Sequence, residues 1–126
     1  RGVNSKTNVM RPLMPPRLDC ETERAVRRFM ELMEEEFHPH GAIVFGSRAR
    51  GTHRIDSDAD VAVLLDGQNR RLVTIKMALA NLAFDVLLET GINISPLPIW
   101  MDQWEDPERF SNPSLLQNIA REGIRL

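Results

Sequence analysis

Two carboxylates one residue apart, Asp58 and Asp60, stand at the head of an apolar run, Val61-Ala62-Val63-Leu64-Leu65, and constrain this chain more than any other feature. Successive side chains of a strand point to opposite faces, so both acids share one face while Ala59 turns to the other. Two ionised carboxylates on one face repel, and a cation relieves the repulsion. Hard oxygen donors with few other ligands suit Mg²⁺ sharing its shell with phosphate oxygens. Such a site is built for charge and not for a neutral ligand. An EF-hand loop does not fit: Val61 stands where the sharp turn needs Gly, and Gly67 where the bidentate Glu belongs.

Upstream, Ala42-Ile43-Val44-Phe45 reads as a buried strand that ends in Gly46-Ser47. Glycine lets the backbone approach a phosphate closely, and Ser47 adds a hydroxyl. A short helix beginning at Arg48 would turn its free amides and partial positive charge toward the same anion. Arg48 and Arg50 flank this cradle, and a guanidinium matches phosphate oxygens with a rigid fork. Their plainer role is that of solvated turn residues, and Thr52, His53 and Arg54 are weaker candidates still.

Gly46-Ser47, ten intervening residues from Arg48 to Ser57, and then Asp58-Ala59-Asp60 form a spacing that resembles the DNA polymerase β-like nucleotidyltransferase superfamily. In size the chain is similar to the minimal nucleotidyltransferase branch. The resemblance implies that Asp58 and Asp60 are catalytic and ligate two Mg²⁺ ions when nucleotide is bound. It implies that Gly46 and Ser47 hold the triphosphate of ATP or another nucleoside triphosphate. The reaction it implies is attack of an acceptor hydroxyl on the α-phosphorus with loss of pyrophosphate. Active relatives usually carry a third carboxylate on a neighbouring strand. Here the next extended segment, Ile92-Asn93-Ile94-Ser95-Pro96-Leu97-Pro98-Ile99, has none, and Ser95 occupies the expected position. A hydroxyl neither balances metal charge nor acts as a base near neutral pH. Asp85 and Glu89, four residues apart on the preceding helical stretch, are alternative sources of charge whose plainer role is a solvated helix edge, and Asp102 is a looser option. The Ile-Ser-Pro-Leu segment is itself similar to a subset of small nucleotidyltransferase-domain proteins.

A length of 126 residues predicts one domain. Residues 1–17, with Arg1, Lys6, Arg11 and Arg17 as their only charges and Pro12, Pro15 and Pro16 against helix, read as an extended arm; 18–126 read as the domain. A net charge of −2, with Arg dispersed among acids, provides no basic face for duplex nucleic acid. The single cysteine, Cys20, precludes an internal disulfide and suits a reducing cytosol. No apolar run is long enough to span a bilayer, so a soluble, cytoplasmic protein is expected. His38 and His40 lack companion ligands for a metal.

Asp19 is the predicted N-cap of a helix from about Cys20 to Phe37, with Val26, Phe29, Met30, Met33 and Phe37 inward. Asp66-Gly67-Gln68-Asn69 signals a turn into an amphipathic helix with Leu72, Ile75, Leu79, Leu82 and Val86 inward, closed by Gly91. Pro96 and Pro98 argue for an edge strand or a short, distorted one, and Trp100 and Trp104 for core packing that covers it, with base stacking as the lesser alternative. Ser114 to Glu122 reads as a last helix, closed by Gly123. The expected fold is a single α/β domain with a small mixed sheet and packed helices, similar to the polymerase β palm, its first two strands neighbouring and antiparallel.

Relatives that act on antibiotics or RNA ends usually carry an acceptor-binding domain, for which this chain is too short. The resemblance therefore implies transfer of AMP to a hydroxyl on a small helical partner protein, as in toxin-antitoxin pairs. The chain has no Tyr, so modification of itself would use Ser, Thr or another acceptor. Two alternatives stand beside this: a catalytically impaired nucleotide-binding or antitoxin subunit acting by contact, and a substrate-recognition subunit of a two-protein complex. Self-association into a homo-oligomer stays open.

Overall fold

Helix α1 (Cys20–Glu34) is the first element of the described residues, and its cap is strong. Asp19 takes an extended conformation and accepts from both the Thr22 amide at 3.2 Å and the Thr22 hydroxyl at 2.6 Å. The helix stops three residues before the expected Phe37. The Glu36 and Phe37 amides turn back to the Met33 carbonyl, and His38 adopts φ 50°, since Pro39 disfavours a helical residue before it. The computed structural model describes residues 17–66 and 71–126. The predicted arm, save Arg17, and the turn signal at Gly67, Gln68 and Asn69 lie outside the described residues.

Strand β1 (Gly41–Phe45), short helix α2 (Ser47–Arg50) and strand β2 (Ala59–Leu65) follow, then helix α3 (Leu72–Thr90) and strand β3 (Ile94–Trp100). Helix α4 (Met101–Glu105), a 3₁₀ turn (Pro107–Arg109), helix α5 (Pro113–Glu122) and strand β4 (Ile124–Arg125) complete the chain. The sheet runs β3-β2-β1-β4 and is mixed. β1 and β2 pair antiparallel, as their short link requires, whereas β2 and β3 pair parallel with α3 as the crossover. The two prolines of β3 therefore lie on an edge strand, where a missing donor is tolerated.

Alternation along the strands divides the core between two faces. Ala59, Val61, Val63 and Leu65, with Ala42 and Val44, face Phe29 and Met33 of α1 and Ile75, Leu79 and Val86 of α3. Ile43, Ala62, Leu64 and Ile99 face Leu116 and Ile119 of α5. Burying each such side chain contributes about 1.5–3 kcal/mol. Trp100 packs against the first cluster and Trp104 against the second, so both indoles serve the core. Gly91 ends α3 in the left-handed region at φ 79°.

Three further features differ from the sequence expectation. α3 is not amphipathic: Val73, Met77, Phe84 and Leu88 are exposed on its outer side, and Leu72, expected inward, is 45% exposed. The stretch after β3 forms α4 and a 3₁₀ turn. Finally, Ile124–Arg125 add a fourth strand through pairing with Ile43 and Val44. Two residues carry no periodicity, so only the edge of β1 could define that strand.

Candidate active site

The bend after β1 takes a conformation open to glycine alone. Gly46 has φ 76° and ψ −155°, and a Cβ there would collide with Oδ2 of Asp60. The two halves of the sequence motif thus meet in space, with the Asp60 carboxylate lying against the backbone of the bend. In α2, which begins at Ser47 and not at Arg48, the Ala49 and Arg50 amides both donate to the Gly46 carbonyl at 3.1 Å. The Ser47 and Arg48 amides precede these bonds and hold the orphan positions of a helix start.

Asp60 pairs with Phe45 across the antiparallel ladder and with Ser95 across the parallel one. Its side chain shares the sheet face of Ala62 and Leu64, the face that α5 covers. Asp58 is exposed immediately before β2. Asn93 Nδ2 donates to Asp58 Oδ1 at 3.2 Å, while the Ala59 amide donates to the Asn93 carbonyl at 2.9 Å. Asn93 therefore fixes both the first acid and the chain between the acids. Nothing in the sequence marks Asn93, because its role depends on the β2–β3 register.

Burial first, and the neighbouring Asp58 charge second, push the Asp60 carboxyl above the usual carboxylate range; Arg50 partly opposes them. This is the electrostatic signature of a pair that a cation would relieve. In the β2–β3 register Ser95 stands where the third carboxylate was expected. The substitutes lie elsewhere. Glu89 is bonded to Arg28 of α1 at 2.9 Å, and Asp85 is exposed on α3, across the sheet from the acids. Asp102 follows the far end of β3, about 20 Å along a strand of this length. Among the described residues no cluster of three His, Cys, Asp or Glu side chains is assembled.

The two arginines separate. Arg48 is only 4% exposed and turns inward: Nε and Nη2 donate to the Ser57 carbonyl at 3.0 and 2.9 Å, Nη2 reaches the Ile55 carbonyl at 3.3 Å, and Nη1 donates to Thr22 Oγ1 at 2.7 Å. It is a clamp that ties the loop entering Asp58 to the capped start of α1. Arg50 is exposed beside Asp60, leaning 3.7 Å from Glu122 of α5 over a cavity of about 220 Å³ that Gly46 also lines. Of the weaker candidates, His53 lies 3.4 Å from Asp19, and the Arg54 amide donates to Ser57 Oγ. His40 lies 2.9 Å from Asp66 and His38 3.2 Å from Glu34.

The family profile described as polymerase beta, nucleotidyltransferase, matches residues 28–97. That span is more than half of the chain and includes the bend and both acids. The chain belongs to the polymerase beta nucleotidyltransferase family. Among solved structures, the nucleotidyltransferase fold of this chain is similar to that of a candidate nucleotidyltransferase from Sulfolobus solfataricus. The likeness has a TM-score of 0.51 and 17% identity, covering 83% of this chain and 81% of that one. At that identity the likeness concerns the fold. No curated protein gives a significant match. Among the described residues, no helix of this nucleotidyltransferase-family chain is long and apolar enough to cross a membrane.

Proposed function

We propose that the chain transfers a nucleoside monophosphate, AMP from ATP being the leading case, to a hydroxyl acceptor on a partner protein. The observation that carries this reading is the Asp60 carboxylate lying against Gly46, with Asp58 two residues away. Asp58 and Asp60 fit a divalent ion: both are hard oxygen donors, and Asp60 is a carboxylate whose ionisation is opposed until positive charge arrives. When bound, Mg²⁺ supplies charge neutralisation at the reacting phosphate.

The chain's own groups position the rest. Gly46 and Ser47 offer the backbone approach, the amide and the hydroxyl to the β- and γ-phosphates, and Arg50 reaches the leaving pyrophosphate by letting go of Glu122. Arg48 acts one step back, holding the loop that delivers Asp58. The acceptor oxygen forms a bond to the α-phosphorus as the bond to the bridging oxygen of pyrophosphate breaks. Pyrophosphate leaves with that electron pair. The acceptor proton passes to water or to the partner, because Ser95 is no base at neutral pH.

The position of Ser95 beside Asp60 favours a second reading, a subunit that binds nucleotide and masks its partner without turnover. Labelled ATP, Mg²⁺ and a helical partner encoded beside this chain separate the two. Transfer of label that Asp58→Ala abolishes supports the enzyme, whereas masking undiminished by Asp58→Ala supports the binder. Absence of any Mg²⁺-nucleotide binding by calorimetry sinks both and leaves a substrate-recognition subunit.

A further inference from the structure

Helix α3 has two apolar sides, and only one of them is used. Ile75, Leu79, Ala83 and Val86 are buried against the sheet and α1. On the outer side Val73 is 56% exposed, Met77 65%, Phe84 56% and Leu88 70%, with Ala80 exposed between them. A surface helix normally places charged or polar residues there. The four large side chains fall within one stripe because their spacings of four, seven and four residues return to the same helical face.

The spacings are symmetrical about a point between Ala80 and Asn81. An antiparallel copy of the same helix laid across that point brings Val73 level with Leu88 and Met77 level with Phe84. Ala80, the smallest side chain of the stripe, falls at the crossing, where two helices approach most closely. A surface that matches itself under a two-fold rotation is what an isologous dimer requires. At their observed exposures the stripe's side chains present on the order of 500 Å² per copy, so their complete burial in two copies gives roughly the 1,000 Å² at which a biological interface begins.

We propose that this chain forms a two-fold homodimer through the outer face of α3. The stripe lies on the α1/α3 side of the sheet, whereas Asp60 belongs to the face covered by α5. Both acid sites therefore stay open in the dimer, and the inference rests on no part of the nucleotidyl-transfer reading.

Sedimentation velocity of the full chain from about 1 to 100 µM tests it. The expected result is a concentration-dependent dimer whose dissociation constant rises at least about tenfold in Met77→Glu and in Phe84→Glu. Both positions are exposed, so an unchanged helical circular-dichroism spectrum shows that the fold survives. A second measurement fixes the register. In a Cys20→Ser background, which removes the chain's exposed natural thiol, Ala80→Cys forms a disulfide dimer on mild oxidation. Val73→Cys does not, because its two copies lie about 22 Å apart along the helix axes. A chain that stays monomeric at 100 µM overturns the proposal, as does a dimer indifferent to both glutamate substitutions. Equal cross-linking at positions 73 and 80 overturns it as well.

Discussion

Asp60 is held in an environment that resists its own charge. Its pKa is raised by burial and by Asp58, so the folded state keeps a proton to higher pH than the unfolded chain does. By linkage, this group's contribution to stability is greatest at low pH and is lost as pH rises through the ordinary carboxylate value toward the raised one. Binding of a divalent ion has the opposite sign, since it needs the ionised form. We therefore expect Asp60→Asn to raise the melting temperature of metal-free protein while removing any stabilisation by Mg²⁺ and nucleotide. Parallel thermal melts with and without those ligands check both halves. Wild-type affinity for Mg²⁺ should fall as pH drops through a window lying above the usual carboxylate range, as isothermal titration across pH 4–7 would show on the scale of ordinary carboxyl pKa values. Ser95→Asp places a third carboxylate level with Asp60 and should tighten Mg²⁺ binding on the order of tenfold or more; unchanged affinity would mean that position 95 does not face the ion.

At the level of elements, the loop between α2 and β2 is organised by one side chain. Arg48 satisfies two carbonyls and Thr22 from a buried position, and Thr22 in turn donates to the capping carboxylate of Asp19. Arg48→Ala should cost about 2–3 kcal/mol in urea denaturation, because it leaves buried acceptors unpaired. Lysine should restore little of this, since a single ammonium cannot reproduce the planar fork. Asp19→Ala removes the cap of α1 and should cost about 1 kcal/mol at neutral pH. Burial pushes Asp19 up, but its bonds from the Thr22 hydroxyl and amide and the charge of His53 outweigh it, so its pKa lies below the ordinary value. The stabilisation is present above the unfolded carboxyl pKa and fades as pH falls through the lower, folded one. Hence the difference between Asp19→Ala and wild type should shrink in acid, which melts at pH 7 and near pH 3 would reveal.

For the whole molecule, the sequence made the centre legible and left its surroundings open. The alternation of acids and apolar residues, the spacing from Gly46 to Asp60, and the prolines of β3 depend on neighbours one to fourteen residues away, which a strand or turn brings together by itself. Those features determined a mixed α/β sheet with an edge strand at β3 and a bend facing two carboxylates, and the cap at Asp19 and the stop at Gly91 belong with them. What tertiary structure alone decided depends on contacts between distant segments. Arg48 and Arg50 are equivalent in the sequence, yet the fold buries one beneath a loop and leaves the other beside Asp60. Asn93 reaches Asp58 only through the parallel register of β2 with β3, and β4 exists only because the edge of β1 was open. The outer stripe of α3 belongs here too, for an apolar residue at helical spacing looks the same in sequence whether the sheet covers it or water does.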